Sequence, residues 1–275
     1  MPDDPPVDLV QPVDLQRFLY HLRTVRQLKP KTVRNAHIGL SAFATWLVAE
    51  GLIAVHWVHG RIKAPKVQEK EIAPLTRRDI QALLAACDRS ALWESKRRLP
   101  AAAARPTRLR DRAIILFLLD TGVRAQELCD LLVGDVDMES GAAQVRRGKG
   151  DKGRTVYLGV IARAALWKYV KGRRFRDSQD ALFATATDGP IERNALRKML
   201  RAAGKRAEVT EPVTPHRFRH TFAITYLRNG GDVFTLQQML GHATMEMVRR
   251  YLALAQEDMA AAHRRASPAD NWRLG

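Results

Sequence analysis

The stretch Arg110-Asp111-Arg112-Ala113-Ile114-Ile115-Leu116-Phe117-Leu118-Leu119-Asp120, followed by Thr121-Gly122-Val123-Arg124-Ala125-Gln126-Glu127-Leu128, holds the longest apolar run of the chain, Ala113 to Leu119. The density predicts a helix over 110–120 that is buried on most of its surface, ended by Thr121-Gly122. A bilayer span needs about 20 apolar residues, so this run predicts a core helix and no membrane segment. A second helix resumes over 124–132 with Leu128 and Leu131 inward, which places Arg124 at a helix start.

Working outward from this pair, Thr76 and Asp79 form a capping-box-like start for a helix whose apolar face is Ile80, Leu83, Leu84 and Cys87. Between it and the buried helix, Arg89 to Arg108 is a basic excursion containing Ala and Pro. Upstream, Arg61 to Glu71 is charged, holds Pro65 and shows no sustained period, so it reads as a linker. Before it, Val13 to Arg26 predicts an amphipathic helix with Val13, Phe18, Leu19 and Leu22 on one side. Leu28-Lys29-Pro30-Lys31 interrupts, and a longer helix over 32–50 buries Val33, Ala36, Leu40, Phe43, Ala44 and Leu47, with Gly51 at its C′ position.

Downstream, the period between Asp135 and Leu158 changes to short strand-like pieces punctuated by Glu139-Ser140-Gly141 and by the Gly-rich turn 148–153, which predicts a three-stranded antiparallel meander. Helices return over 160–171, 191–203, 216–229, 233–240 and 245–255, with Pro190 and Pro215 near starts and Gly230 and Gly241 near ends. The tail from Ala260 begins helically and loses its pattern at Ser267-Pro268; fraying and docking elsewhere both fit. The fold class expected is mainly α with a small three-stranded antiparallel sheet.

In a chain of 275 residues, 46 Lys and Arg stand against 29 Asp and Glu, a formal net charge of +17 and a pI near 10.5. The excess runs along the whole chain and is not a detachable tail. Such a body attracts polyanions and gains affinity by releasing their counterions, so nucleic acid is the leading partner and no membrane partner is expected. The start Met1-Pro2-Asp3-Asp4-Pro5-Pro6 is acidic and proline-rich, unlike a secretory signal, which points to the cytoplasm. Cys87 and Cys129, each beside apolar residues, read as packed thiols, with neither disulfide nor metal.

Chemistry is offered by two arginines first. Arg124 opens a helix after a Gly turn, and His216 and Arg219 share a helix face at i, i+3 spacing. A guanidinium stays charged and holds two phosphate oxygens at once, while an imidazole exchanges a proton near neutral pH. The turn from Arg146 to Arg154 holds five basic residues among glycines; it reads either as a hairpin that enters a DNA groove or as an ordinary solvated turn. It lacks the spacing of a triphosphate-binding loop. Tyr251 follows Leu240-Gly241-His242 closely enough for its phenol to return toward the histidine, although an amphipathic tyrosine is by itself a common core residue. No carboxylate cluster of the two-metal kind is evident, so no cofactor is expected and the candidate chemistry is metal-free.

Arg124, Lys149, His216-x-x-Arg219, His242 and Tyr251, carried by Thr121 to Leu128, Gly148-Lys149-Gly150, His216 to His220 and Leu240-Gly241-His242, resemble in full order the tyrosine recombinase, or phage-type integrase, family. The resemblance covers residues 70 to 258 well and reaches 13–51 weakly. It implies that Arg124, Arg219 and His242 contact the scissile phosphate, that Lys149 protonates the leaving 5′ oxygen, and that Tyr251 forms a 3′-phosphotyrosine link. It also implies that His216 assists proton transfer from the tyrosine and that Glu127 and His220 support the site. DNA backbone contacts are expected from Lys29, Lys31, Arg34, Arg147, Lys152 and Arg154.

The organisation implied is a partial helical DNA-binding domain over 1–66, a linker over 67–75, a catalytic domain over 76–258 and a tail over 259–275. The family's DNA-binding domain usually holds about four helices and only about two fit here, so its first half is expected to be missing, either through truncation or in a natural variant with a reduced clamp. The partners implied are double-stranded DNA and further copies of the chain in a synaptic tetramer, with no small-molecule substrate; the tail is expected to pack on a neighbouring protomer. A type IB topoisomerase shares the chemistry, and a non-catalytic DNA-binding protein could share the fold.

Overall fold

Residues 1–71 and 72–275 form two units of the computed structural model, which describes residues 7–67, 73–88, 93–95, 98–101, 105–146, 153–173, 175, 177–185, 189–241, 244–255, 263–264 and 267–272. Among the described residues, no helix is long and apolar enough to cross a membrane.

The first unit is built on α1 (Pro12–Thr24) and α2 (Pro30–Ala49), each opened by a proline whose missing N–H costs nothing at a helix start. Leu15, Ala44 and Leu47 meet Ile53, Trp57 and Val58 from the segment after α2. That segment is fastened by His56, whose Nδ1 accepts from the N–H groups of Val58 (3.1 Å) and His59 (2.9 Å). The proton therefore sits on Nε2, which faces the Thr45 hydroxyl at 3.1 Å and the Ser41 carbonyl at 3.2 Å. The buried stripe differs from the one expected. Val13, Phe18 and Phe43 are exposed, and Phe43 stacks on Trp46 at 5.8 Å. Two helices bury only a narrow seam, and the covering segment centres it on Leu15, Ala44 and Leu47.

In the second unit, Thr76 and Asp79 make the expected capping box: the Thr76 N–H donates to Asp79 Oδ2 (2.8 Å) and the Asp79 N–H to Thr76 Oγ1 (3.1 Å), opening α3 (Arg77–Asp88). The buried helix is α4 (Arg108–Thr121), with Ala113, Ile114, Ile115 and Leu118 wholly inaccessible. Each of the Ile and Leu side chains contributes roughly 1.5–3 kcal/mol by leaving water. The buried face includes one carboxylate: Asp111, fully inaccessible, is paired with Arg105 (2.9 Å) and Arg110 (2.8 Å). Around α4 pack α3, α6 (Val160–Lys171) and α8 (Pro215–Arg228), while α7 (Arg193–Arg206) packs on α3 and on the short α5 (Ala125–Cys129). A second cluster joins α8 to α9 (Val233–Leu240) and α10 (Glu246–Ala255) through Phe222, Leu227, Leu236, Leu240, Val248 and Tyr251.

Four expectations change. Within the basic excursion, β1 (Trp93–Ser95) pairs antiparallel with β2 (Arg98–Ala101), where no strands were expected. Among the described residues the meander reduces to two strands, β3 (Ala142–Val145) and β4 (Arg154–Tyr157), with Val145 paired to Arg154. Its third strand shrinks to a single bridge, Val136 to Ala143, because Val133–Asp135 forms a 3-10 turn in which Asp135 accepts from the Leu132 N–H (2.8 Å). The same capture ends α5 before residue 132. Residues 73–75 of the expected linker belong to the second unit: the Leu75 N–H donates to Thr221 Oγ1 (2.8 Å) and Arg217 Nε donates to the Ala73 carbonyl (3.0 Å). Near the chain end, Pro268–Asn271 forms one helical turn capped by Ser267, where the sequence pattern fades.

Candidate active site

The turn between α4 and α5 places the first arginine. Gly122 ends α4 with φ of +61°, a left-handed conformation that glycine adopts without strain, and its missing Cβ leaves room for the Phe222 ring. Two residues later Arg124 caps α5. Glu127, in the first turn, reaches back to accept from the Arg124 N–H (2.7 Å) and from Arg124 Nη1 (2.7 Å). The chain thus folds Arg124 and Glu127 together locally, and about a third of the Arg124 side chain stays exposed.

Arg154 closes the other side of Glu127. Its Nη1 and Nη2 donate to the two carboxylate oxygens at 2.9 and 2.7 Å, and its side chain is only 10% exposed. Burial alone would raise the Glu127 carboxyl, but the hydrogen bonds from Arg154 and Arg124 outweigh it and hold the group down at about 2. The structure therefore corrects the reading of Arg154 as a DNA contact: its guanidinium is turned inward. Arg146, at the other end of the basic turn, pairs with buried Asp135. Arg146 and Arg154 are thus each paired with an acid.

Arg219 is 5% exposed on α8; His216, one turn earlier, is exposed. Arg219 Nη1 donates to the Gly122 carbonyl (2.9 Å) and Nη2 to the Leu240 carbonyl (2.6 Å). Burial pulls its guanidinium down to about 10, with neighbouring Arg124 adding to the effect and Glu127 and Tyr251 opposing it. It remains overwhelmingly protonated at neutral pH.

The end of α9 gathers all three arginines. Arg154 Nε donates to the Met239 carbonyl (2.6 Å), Arg219 to Leu240 and Arg124 Nη2 to Gly241 (3.1 Å). A helix C-terminus leaves its last carbonyls without intrahelical partners and carries partial negative charge. Gly241, with φ of +61°, turns the chain out of α9 there. Three guanidiniums from three distant parts of the sequence are thereby oriented by three consecutive carbonyls. Tyr251, on α10, is 8% exposed and lies against the His220 ring, centroids 5.5 Å apart.

The structure thus brings together Arg124, Glu127, Arg154, Arg219, His220 and Tyr251. Lys149, Arg147, Lys152 and His242 lie outside the described residues. Lys29, Lys31 and Arg34 are exposed at the start of α2 in the first unit. A cleft of about 550 Å³ is lined by Glu127, Asp135, Arg146, Arg173 and Asp180, among others, but by none of Arg124, Arg219 or Tyr251. Among the described residues, no group of three or more His, Cys, Asp or Glu side chains could hold a metal ion. Sequence reasoning did not assign the α9 carbonyls. Leu240-Gly241 marks a helix end, but nothing in the local sequence names the cations that cap it.

Residues 74–258 match the sequence model of the phage integrase family. The chain belongs to the phage integrase family. It is a site-specific recombinase, an enzyme of the DNA strand-transferase class. The chain is 31% identical over 234 residues to tyrosine recombinase XerA of Saccharolobus solfataricus, an alignment spanning 85% of this chain and 67% of that protein. Its fold resembles the crystal structure of XerA recombinase, with a TM-score of 0.57 and 26% identity over 96% of this chain and 86% of that one. The Tn1549 transposon integrase in complex with a circular intermediate DNA shares the fold at a TM-score of 0.73 and 20% identity, covering 90% and 82% of the two chains. The integrase-family match spans every residue of the arginine cluster and Tyr251.

Proposed function

We propose that this recombinase cleaves and rejoins double-stranded DNA through a 3′-phosphotyrosine link on Tyr251. The observation that carries the reading is the arginine cluster: Arg124 and Arg219 are held by one helix end, and the Tyr251 ring lies against His220, the residue after Arg219 on α8. Fixed cations of this kind stabilise the charge that develops on a phosphorane oxygen, and they need no rearrangement as the reaction proceeds.

In this reading Tyr251 Oη attacks phosphorus and forms the new O–P bond while the bond to the 5′ oxygen breaks. The phenolic proton leaves with help from His216, and Lys149 delivers a proton to the departing 5′ oxygen. His242 joins the two arginines on the phosphate. A 5′ hydroxyl of a second strand then attacks the link, expels the tyrosine and restores a phosphodiester, so bond energy is conserved without a nucleotide. Lys29, Lys31 and Arg34 extend the contact along the DNA backbone, and several copies assemble on paired sites.

The test is a nicked suicide duplex whose short fragment, released with a free 5′ hydroxyl, diffuses away after cleavage. The wild-type chain is expected to form an SDS-resistant adduct, and Tyr251→Phe none. An undiminished adduct in Tyr251→Phe rejects the assignment. Binding of the duplex should weaken steeply with salt as phosphate contacts release counterions.

A further inference from the structure

We infer that Arg154 is a positioning residue whose task is to occupy Glu127 and so leave Arg124 charged toward the phosphate. The inference rests on the function proposed above. Glu127 is buried, ionised and bonded to both the backbone and the side chain of Arg124. On its own such a carboxylate would neutralise the arginine it orients. Arg154 places two N–H donors on the same two oxygens, so the trio of Arg124, Glu127 and Arg154 keeps a net positive charge.

The geometry supports a dedicated role. Nε, Nη1 and Nη2 of Arg154 all have protein acceptors, and the side chain is nearly inaccessible. Its Nε bond to the Met239 carbonyl ties Glu127 to the helix end that also holds Arg124 and Arg219. Gly241 packs on this side chain: a Cβ there would stand 3.2 Å from Arg154 Nη1 and 3.3 Å from its Cδ. Arg154 is also the first residue of β4 and follows Lys149 by five positions in the sequence. One buried guanidinium therefore joins the start of β4, the Arg124 turn and the end of α9. A lysine could match the charge but not the three-point geometry.

The experiment compares wild type, Arg154→Gln and the double variant Arg154→Gln/Glu127→Gln in single-turnover cleavage of the nicked duplex, alongside duplex affinity over a salt series. Arg154→Gln is expected to cleave about a hundredfold more slowly at saturating DNA. Its affinity should stay within about threefold and its salt slope unchanged, because no phosphate contact is lost. The double variant is expected to recover at least about tenfold in rate: the amide oxygen introduced at position 127 still accepts from Arg124 but carries no charge to neutralise it. Circular dichroism and thermal unfolding monitor each variant. If Arg154→Gln does not fold, Arg154→Lys, which keeps the charge but not the bidentate fork, is expected to cleave within about tenfold of wild type, and a hundredfold loss there overturns the inference.

Cleavage by Arg154→Gln near the wild-type rate overturns the inference. So does an equal loss of rate and affinity with a shallower salt slope, which marks a backbone contact, or a double variant as slow as the single one. A wild-type chain that forms no adduct overturns the proposed function itself, whereas adduct formation with an unaffected Arg154→Gln removes only this inference.

Discussion

Replacing Glu127 by glutamine tests the charge arrangement at its centre. The carboxyl moves from an ordinary value of 4.5 to about 2 in the folded chain, and its side chain is 5% exposed. At about 1.4 kcal/mol per pH unit of displacement, the ionised group contributes about 3 kcal/mol to folding. Removing one partner of a buried ion pair costs roughly 3–5 kcal/mol, an independent figure of similar size. The sign follows from the lowered value. The unfolded chain binds the proton first as pH falls, so the contribution is complete above about pH 4.5 and is lost as pH falls toward 2. Urea unfolding followed by far-UV circular dichroism should therefore show Glu127→Gln less stable than wild type by about 3 kcal/mol at neutral pH. Linkage reduces that gap to about 1.4 kcal/mol at about pH 3. A gap that does not change with pH, or one below about 1 kcal/mol at neutral pH, refutes the idea that Glu127 is an ionised anchor for two arginines.

Four further outcomes follow from the same geometry. Arg219→Ala should slow adduct formation by about 10²–10³ with duplex affinity within about fivefold, and equal losses in rate and binding would move Arg219 to the binding surface. Gly122→Ala places a Cβ 2.4 Å from a Phe222 ring carbon on a left-handed residue. Roughly 1–2 kcal/mol of backbone strain and 1–3 kcal/mol of overpacking should then lower the melting temperature, and an unchanged one contradicts the turn geometry. Lys149→Ala should cleave ordinary DNA poorly but a 5′-bridging phosphorothiolate nearly normally, since a thiolate leaves without a proton; failure of that rescue makes the lysine a phosphate contact. Burial, then the nearby acids Asp111 for Cys87 and Asp130 for Cys129, push both thiols up to about 11. Iodoacetamide at neutral pH should modify them only after unfolding, and rapid labelling of the native chain would contradict their packing.

The local sequence determined the elements that rest on local forces. The uninterrupted run from Ala113 to Leu119 required a buried helix; the Thr76 and Asp79 pair set a helix start, and Gly122 and Gly241 set two ends. The order of Arg124, His216, Arg219 and Tyr251 carried the resemblance to the integrase family because residue types and spacing are properties of the chain itself. The third strand of the sheet was not legible, since it depends on whether Asp135 turns back to the Leu132 N–H. Nor was the solvent exposure of Phe43, which depends on where residues 51–62 settle over α2. Arg154 shows the limit most sharply. In sequence it is one more basic residue at the edge of a basic turn, equally suited to phosphate or water. Only folding brings it to Glu127, 27 positions away, and to Met239, 85 positions away. A guanidinium pairs with whichever acceptors surround it, and tertiary packing chooses those acceptors. At this site it chose a buried carboxylate and the open end of a helix, and thereby decided which arginines face inward and which remains partly open to solvent.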